Sequence, residues 1–581
     1  MHRRLPSAAL AAALIGGALA AAWPVIGQPA DGPQQLLPDA PTAPPPVEPD
    51  TSDAAPPGDE AAPSLGASGG ETPTEDAAAP SAFDLPAATG AAIDVAGPLT
   101  LAQGGYGMAA FQGSNGRFVA ALMQRVNTPL ASRWAHIVLR RALLSQSAAP
   151  EGIAPADWVA WRAALLTRMG EADGAVLLVD AVPVDRFSPL LYKAAGQAHL
   201  AAADPAGLCP LAQTGTAVSQ DPLWRLAVGM CGGMSGDDLT SAATFDALRA
   251  RGQVDRFDLQ LGERIATLSG GNGRASNIEW ETAPGLTPYR FGIAVAAGVR
   301  IPDERLAGFG PVRAGWVLRA PGISDAARLA AVVPAAAIGI ASAGELVSTI
   351  SAATGAEGNA LTASPSANLR AAFASASAAD RYAALKAIRE APKDARGRYA
   401  ALLETALPAA RLPVDAAHSA DAPDVIAALL AAGNEDRAAA WWQMVQKDDS
   451  ARARSWGLLA GSGVVPVTPE LFEAWQSADA NKHRARLLLA GLDATGRTRG
   501  DWASARRDLG VAAASNSWSR AIAAAAAAGR VGEVAVLAAT GLQCDWTAVP
   551  PGQFGAIVAA YERVGLHLEA RLLMAEAATR G

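Results

Sequence analysis

A recurring helix-start signal constrains the fold of this chain more than any other feature of its sequence. From about residue 98 onward, a residue with a hydroxyl or carboxylate side chain precedes proline at Thr128, Ser188, Asp204, Asp221, Thr287 and Thr468. Such a residue can cap the first turn of a helix, and proline at the first helical position sacrifices no hydrogen bond. We therefore expect a helix to begin at each of these prolines.

The spacing of apolar residues also indicates helices. After Asp157, for example, Trp158, Trp161, Leu165 and Met169 recur at the interval that places them on one helical face. Half of the residues are hydrophobic, and many of these are alanine, the strongest helix former. No segment alternates apolar and polar residues between hairpin turns, so no strands are expected. The predicted class is all-α, with about two dozen helices in antiparallel pairs.

The N-terminus, residues 1–27, is typical of a targeting segment. Arg3 and Arg4 precede an uncharged apolar run, and the alanines at 20–22 offer a cleavage site. A cleaved signal peptide and an uncleaved membrane anchor both remain open, since about 20 apolar residues can span a bilayer. No basic residue follows before Arg117, so either interpretation exports the rest of the chain. The predicted location is the periplasm, with the protein either released or tethered to the inner membrane.

Residues 28–97 differ in composition from both neighbours. They are rich in Pro, Ala, Gly and Ser, and they contain twelve acidic residues but no Lys or Arg. A segment with so few large apolar residues cannot bury enough surface to offset its ordering entropy, so we expect a disordered, semi-extended linker. The net charge of −8 therefore belongs largely to this linker. Two helical-repeat regions, 98–270 and 286–581, are predicted to follow.

One pattern suggests that the helical pairs are repeats. In three hairpins a glycine is followed five residues later by an alanine: Gly170/Ala175, Gly433/Ala438 and Gly565/Ala570. In the last two, a large residue follows the alanine by four positions, Trp442 and Met574. Glycine permits a tight turn between two helices, and a small residue in the second helix lets the two backbones approach closely.

The last of these hairpins, residues 551–580, resembles a tetratricopeptide repeat. The resemblance is carried, in the order and spacing of that family, by Phe554, Ile557, Tyr561, Gly565, Ala570, Met574 and Ala577. Val558 departs from the pattern, because the family has a small residue there. The resemblance implies an α-solenoid of stacked helical hairpins, a fold that binds other proteins.

Cys209 and Cys231 lie at equal distances from Gln220, in the turn before the helix predicted at Pro222. Residues equidistant from the turn of an antiparallel hairpin lie at the same height along it. The two thiols can therefore face each other and form a disulfide in an oxidising compartment. Two buried free thiols are the alternative. Cys544 has no partner in the sequence and is interpreted as a small buried residue.

The sequence contains no recognisable catalytic, cofactor-binding or metal-binding signature. No lysine follows a glycine, which excludes the phosphate-binding Gly-x-x-x-x-Gly-Lys loop. The six histidines are scattered, with no pair four residues apart and no Cys-x-x-Cys to complete a zinc site. We therefore expect no cofactor and no metal, and we do not expect an enzyme. Nucleic acid is not expected as a partner in an exported compartment.

One basic segment is a candidate surface for an anionic partner. It carries Lys482, Arg484, Arg486, Arg497, Arg499, Arg506 and Arg507. These residues could contact lipid headgroups, a cell-wall polymer or an acidic protein. They could equally be solvated helix faces whose arginine stems cover apolar surface.

Two classes of function remain open from the sequence. The first is an exported cell-envelope scaffold or adaptor that binds other envelope proteins through its helical superhelix. The second is a protein that binds or processes cell-wall glycan, with Glu279, Trp280 and Glu281 as candidate acids and sugar-facing aromatic. The absence of active-site motifs favours the scaffold.

Overall fold

The computed structural model describes residues 95–268, 278–283, 285–355, 365–478, 480 and 482–581. These residues all belong to one compact unit, Ala82–Gly581. The predictions for the targeting segment 1–27, for linker residues 28–94 and for residues 269–277 lie outside the described residues.

The described residues are almost entirely helical, which confirms the all-α class. They form 27 α-helices, in chain order α1 (Gly116–Arg125), α2 (Arg133–Leu144), α3 (Pro155–Arg168), α4 (Ala172–Asp180), α5 (Pro189–Ala201), α6 (Cys209–Val218), α7 (Pro222–Met234), α8 (Asp238–Arg251), α9 (Arg256–Leu268), α10 (Pro288–Ala296), α11 (Asp303–Ala307), α12 (Ala314–Arg319), α13 (Asp325–Ile338), α14 (Ala343–Gly355), α15 (Pro365–Ala374), α16 (Ala378–Glu390), α17 (Ala395–Ala410), α18 (Ala422–Ala431), α19 (Glu435–Ala439), α20 (Asp449–Leu459), α21 (Pro469–Ala478), α22 (Lys482–Ala494), α23 (Ala503–Leu509), α24 (Ser517–Ala527), α25 (Val531–Gly541), α26 (Pro551–Arg563) and α27 (His567–Arg580). Short 3₁₀ helices occupy Leu101–Gln103, Val184–Arg186, Ala206–Leu208, Trp280–Thr282, Ala416–Asp421, Ala440–Val445 and Trp546–Ala548.

The expectation that strands are absent was wrong in one small detail. Strands β1 (Val95–Ala96) and β2 (Ser147–Ala148) pair antiparallel, with Val95 opposite Ala148. The buried Arg162 side chain donates a hydrogen bond to the carbonyl of Ala96 at 2.9 Å and so holds β1 against the helices. Two residues are too few to give an alternating pattern, which is why the sequence did not predict this pair.

Most of the predicted helix-start signals coincide with the first residue of a helix. Ser188, Asp221 and Thr287 accept hydrogen bonds from backbone N–H groups in the first turns of α5, α7 and α10, at 3.0–3.2 Å. Helix α21 begins at Pro469 directly after Thr468. Asp204 caps a 3₁₀ turn, accepting from the N–H of Gly207 at 3.0 Å.

The prediction of a helix starting at Pro129 was wrong. The Thr128 hydroxyl donates instead to the carbonyl of Arg168 at 2.7 Å, so it does not cap a helix. Helix α2 begins four residues later, at Arg133, where the Ser132 side chain accepts from the N–H of Ala135 at 3.1 Å. Residues 126–132 are therefore an irregular connection between α1 and α2.

The predicted disulfide is present between α6 and α7. Cys209 is the first residue of α6 and Cys231 lies in the last turn of α7, with their Cα atoms 5.6 Å apart. Gly215 sits where a Cβ atom would overlap the ring of Trp224, so the two helices pack too closely for any larger residue. Cys544 is a free thiol and is half-buried rather than fully buried.

The two ends of the helical region pack against each other. In a linear solenoid each repeat contacts only its neighbours. Here α27 contacts α2, α18, α20 and α22 in addition to its hairpin partner α26, and α25 contacts α1 and α2. The backbone N–H of Ala131 donates to the carbonyl of Leu542 at 2.8 Å, and that of Gly532 donates to Ala110 at 2.8 Å. The helices therefore form a closed set of contacts and not a linear stack.

A buried carboxylate joins the last helix to the second. Glu576 of α27 is 2% exposed. It accepts hydrogen bonds from the Ser132 hydroxyl at 2.5 Å, from the N–H of Arg133 at 2.9 Å and from the Arg580 guanidinium at 2.7 Å. An anion at the N-terminus of α2 is also favoured by the helix dipole. We call Glu576, Ser132, Arg133 and Arg580 the terminal seam.

A second buried cluster lies near the start of α4. Glu171 is 3% exposed and contacts the His136 ring at 3.0 Å, Arg140 at 3.1 Å and Arg319 at 3.4 Å. Burial would raise the pKa of Glu171, but the hydrogen bond from His136 and the two guanidinium groups lower it below its usual value. Burial lowers the pKa of His136 below its usual value, although the contact with Glu171 acts in the opposite direction.

Candidate binding cleft

Four adjoining cavities form one cleft where helices from both ends of the described region meet. We name them by residues that line them: the Arg313 cavity (540 Å³), the Arg396 cavity (400 Å³), the connecting cavity (320 Å³) and the Tyr399 cavity (710 Å³). The Arg313 and Arg396 cavities share Gly310 and Pro311. The connecting cavity shares residues 127–129 with the Arg313 cavity, and Asp545, Trp546 and Arg580 with the Tyr399 cavity.

The irregular connection between α1 and α2 forms one wall of the Arg313 cavity. Asn127 is held there because its N–H donates to the side chain of Gln543 at 2.7 Å, and the Thr128 hydroxyl is bound to Arg168. The remaining walls come from the C-terminal end of α3, from α5, from the first residue of α10 and from the segment 309–316. The segment whose helix was wrongly predicted therefore shapes the cleft.

Arg313 is the cation that characterises this cavity. Its guanidinium carbon lies 4.7 Å from the ring centroid of Phe309 and 5.6 Å from that of Trp316. The two rings pack edge to face at 5.6 Å, so they form a fixed platform for the guanidinium. Among the described residues, Arg313 makes no side-chain hydrogen bond and no ion pair, and no Asp or Glu lines its cavity.

The Arg396 cavity continues the cleft between α11, α12, α13 and the first turn of α17. Arg396 is exposed, and its guanidinium forms no ion pair within the described part of the chain. The nearest acid in sequence is committed elsewhere, because Asp394 accepts from the backbone N–H groups of Arg396 and Gly397, both at 3.0 Å, as the N-cap of α17. Asp303 also lines this cavity and lies 3.6 Å from Arg300.

The connecting cavity lies between the α1–α2 connection and the segment that precedes α26. Its lining includes Arg396, Arg580, Asp545 and the free thiol of Cys544. Burial raises the pKa of that thiol, so it stays protonated at neutral pH. This cavity joins the Arg313 cavity to the Tyr399 cavity.

The charges of the Tyr399 cavity are mostly neutralised in place. Arg389 lies 3.4 Å from Asp424, and Lys386 lies 3.8 Å from Glu390. The Arg580 guanidinium stacks 4.4 Å above the ring of Tyr399 while it binds Glu576 in the terminal seam. Arg398 donates to the carbonyl of Lys393, whereas Asp545 forms no ion pair with a described residue. The cleft cations with neither a side-chain hydrogen bond nor an ion pair among the described residues are Arg313 and Arg396.

The residues proposed to pack the repeats lie inside helical hairpins. Gly170, Gly433 and Gly565 adopt positive φ angles of 85°, 83° and 85° in the turns between α3 and α4, α18 and α19, and α26 and α27. The other residues of this set are buried: Ala175, Ala438, Trp442, Phe554, Ile557, Tyr561, Ala570, Met574 and Ala577. None of them lines the cleft.

The basic segment proposed for an anionic partner is divided between two places. Lys482, Arg484 and Arg486 lie on the first turns of α22. The others lie beyond its C-terminal end or on α23, namely Arg497, Arg499, Arg506 and Arg507. Asp493, which binds Arg506 of the second group, lies about 10 Å along the axis of α22 from Arg486 of the first group.

Asp493 neutralises part of that second group. Arg506 donates to both of its carboxylate oxygens, at 2.9 and 2.6 Å. Burial raises the pKa of Asp493, but the hydrogen bonds from Arg506 and Thr498 outweigh burial and lower it. A role of the basic segment in binding remains a prediction.

The segment proposed for glycan recognition does not offer an open aromatic face. Trp280 is 6% exposed, its ring packs against Phe257 at 4.9 Å and the Arg305 guanidinium covers it at 5.8 Å. Its indole N–H donates to the carbonyl of Arg300 at 2.8 Å. Trp280 is therefore a core residue, while Glu279 and Glu281 are exposed beside it.

Sequence reasoning missed the cleft because it is assembled from segments far apart in the chain. One local signal could have identified Arg313: it follows Phe309 by four residues and precedes Trp316 by three, which places two aromatic rings within reach of one guanidinium. Arg396 carried no such signal. Its position depends on α17 packing beside α13.

No histidine or serine is among the described residues that line the four cavities, and no group of three or more His, Cys, Asp or Glu side chains among the described residues could hold a metal ion. A membrane-spanning helix is likewise not found within the described ranges. Comparisons of the chain with protein-family models, with curated proteins and with solved structures yield no match.

Proposed function

We propose that this protein is an exported cell-envelope scaffold or adaptor that binds a partner protein in the cleft. The observation that carries the proposal is the continuity of the four cavities, which share lining residues from one end to the other. A row of adjoining cavities with both apolar and polar lining and two uncommitted cations suits an extended segment of another protein.

The covalent structure supports an exported location. Disulfides persist in oxidising compartments and are rare in the cytosol, and Cys209 is bonded to Cys231. The N-terminal sequence, with two arginines before an apolar run, independently predicts export. We therefore propose the periplasm as the location, with the predicted linker, residues 28–97, connecting the helical region to a membrane if the N-terminal segment is retained.

The lining of the cleft supports binding rather than catalysis. Side chains that act as nucleophile and general base need to lie within hydrogen-bond reach of each other. The described cleft residues include one thiol, Cys544, whose pKa is raised by burial, and no histidine beside it. Glycan recognition is the less favoured alternative, because Trp280 is buried in the core.

The test is a pull-down from solubilised envelope with the full-length protein, read by mass spectrometry, with peptidoglycan co-sedimentation in parallel. Ala330 is exposed on α13 and lines the Arg396 cavity, so Ala330→Trp should fill part of the cleft without burying a new group in the core. Ala523 is exposed on α24, away from the four cavities, and Ala523→Trp is the matched control.

We expect one stoichiometric protein partner that is lost with Ala330→Trp and retained with Ala523→Trp. A partner retained by both variants would move the interface away from the cleft. Glycan binding without a protein partner would replace the proposal with the glycan-binding alternative.

A further inference from the structure

We propose that the Arg313 cavity binds a carboxylate of an acidic, extended peptide segment, and that Arg396 binds a second carboxylate of the same segment. This inference rests on the proposed function, because it names the chemistry of the partner that the cleft accepts. It adds a ligand class and two recognition residues to that proposal.

Arg313 carries the charge of this cavity that is free to bind a ligand. Arg313 is half-buried against Phe309 and Trp316 and has no acid partner among the described residues. The other arginine in this cavity, Arg168, is committed to the backbone: it donates to the carbonyls of Met123 and Gln124 at 2.5 and 3.3 Å. Arg313 is therefore the guanidinium of this cavity that has no hydrogen-bond acceptor among the described residues.

The aromatic rings beside Arg313 restrict the orientation of its guanidinium. A guanidinium that lies over an aromatic ring can still present N–H groups to a ligand, and a planar carboxylate can accept two of them. Because the platform already restricts the Arg313 side chain, less conformational entropy is lost when the ligand binds. The geometry therefore favours a planar oxyanion over a neutral ligand.

The lining of the Arg313 cavity suits a carboxylate better than a sugar. Hydroxyl groups are donors as well as acceptors, so a sugar needs acceptors in its site. Asn127 and Gln197 offer neutral acceptors in the Arg313 cavity, but no Asp or Glu lines it, and its lining also includes Pro129, Pro288 and Pro311. A ligand that only accepts hydrogen bonds at its charged end, and is otherwise peptide-like, fits this lining better.

A second cation, Arg396, lies in the cavity next to the Arg313 cavity. The Arg396 cavity adjoins the Arg313 cavity through Gly310 and Pro311, and its guanidinium is also uncommitted. Arg396 lies in the first turn of the 16-residue helix α17, where the helix dipole adds to its positive field. Two cations along one continuous cleft predict a segment with at least two carboxylates.

The test uses the full-length protein and a fluorescein-labelled peptide of alternating Glu and Pro, measured by fluorescence anisotropy at low salt. The same peptide with Gln in place of Glu, a phosphoserine–proline peptide and soluble peptidoglycan fragments are the comparison ligands. We expect the Glu peptide to bind and to be weakened about tenfold or more by Arg313→Gln, since one charge-assisted contact is removed.

Two further variants separate loss of recognition from loss of structure. Arg313→Lys keeps the charge but not the planar stack, and we expect affinity between that of the wild type and Arg313→Gln. Arg520, exposed on α24 and away from the four cavities, provides the matched control Arg520→Gln, which should bind like the wild type. Circular dichroism and thermal unfolding of each variant identify any that fail to fold.

Four results would overturn the inference. Equal affinity for the Glu and Gln peptides would show that charge is not recognised, and preference for the phosphopeptide or the glycan fragments would assign another ligand class. Glu-peptide binding that is unchanged in a folded Arg313→Gln variant would remove Arg313 from the site. A protein partner from the pull-down that binds equally to wild type and Arg313→Gln would preserve the proposed function while rejecting this inference.

Discussion

The terminal seam and the Arg313 cavity contain arginines in opposite circumstances. In the seam, Arg133 is buried and Arg580 is partly buried, and both donate to Glu576 or to backbone carbonyls. In the cleft, Arg313 is half-buried and Arg396 is exposed, and neither forms an ion pair with a described residue. A buried charge is tolerated only when it is paired and hydrogen-bonded, so the seam arginines are explained by stability alone.

The cleft arginines have no such explanation. Arg313 rests on two rings that would pack well without it, and Arg396 projects from a helix whose N-cap is already satisfied by Asp394. The two sets of arginines therefore differ in what they contact. Arginines that pair with a carboxylate hold helices together, whereas arginines without an ion pair in a concave site are available to a ligand. Substitutions that separate stability from binding test that division.

The largest expected effect is the loss of Glu576. Replacing it with alanine leaves Arg580, the Ser132 hydroxyl and the N–H of Arg133 without their buried acceptor. We expect the free energy of unfolding to fall by about 3–5 kcal/mol, as measured by urea unfolding. Glu473 is exposed on α21, and Glu473→Ala should change that free energy by less than about 0.5 kcal/mol. Similar values for the two variants would show that the seam does not stabilise the fold.

The next largest effect concerns the disulfide, a covalent constraint outside the cleft. Replacing Cys209 and Cys231 with alanine opens a 22-residue loop, and we expect a loss of about 3 kcal/mol because the unfolded chain gains conformational entropy. Ligand binding should be unchanged in the variant that remains folded. Cys544→Ala is the control and should retain the stability of the wild type.

Alkylation provides a direct check of the same bond. Without reductant, intact mass after alkylation in denaturant should show one modified thiol, Cys544; with reductant it should show three. Three modified thiols without reductant would mean that the protein does not form the bond.

A smaller effect is expected from pH at the His136–Glu171 cluster. Because burial lowers the pKa of His136 in the folded state, the unfolded chain binds the extra proton first, and stability is lost as pH falls below about 6.5. The slope for one group is at most about 1.4 kcal/mol per pH unit. Glu171, whose folded pKa is lowered, contributes stability above its unfolded pKa that is lost at lower pH as it protonates.

Urea unfolding between about pH 8 and pH 5.5 measures this dependence. The His136→Gln variant retains a donor towards Glu171 but cannot titrate, so its slope below pH 6.5 should be shallower than that of the wild type. Arg313→Gln, in the cleft, should leave the wild-type slope unchanged. Equal slopes in the wild type and His136→Gln would show that His136 does not control the acid response.

Helix ends and the disulfide could be predicted from the sequence because they depend on neighbouring residues. Ser188, Asp221 and Thr287 cap helices within three residues of themselves, and Cys209 faces Cys231 across a single hairpin. Thr128 misled the prediction because a distant carbonyl, that of Arg168, binds its hydroxyl. A local signal is overruled wherever a tertiary partner is available.

The closure of the fold and the cleft could not be predicted in the same way. Glu576 and Ser132 are separated by 444 positions, and no periodic pattern records which distant helices will pack. The resemblance of residues 551–580 to a tetratricopeptide repeat predicted a stack in which only neighbours touch. Helix α27 packs against α2 as well as against α26. The contact between the two ends therefore depends on how the whole unit packs and not on a local sequence pattern.

The smallest effect, and the sharpest test of the comparison, is expected from Arg396. Its side chain is exposed and makes no ion pair with the described residues, so Arg396→Gln should change the free energy of unfolding by less than about 0.5 kcal/mol. Affinity for the Glu–Pro peptide should nevertheless fall up to about fivefold, the amount that one solvent-exposed ion pair contributes. Anisotropy and urea unfolding on the same preparation measure both quantities, with Arg520→Gln as control. A loss of stability without a loss of affinity would place Arg396 with the seam arginines and leave Arg313 as the single recognition cation of the cleft.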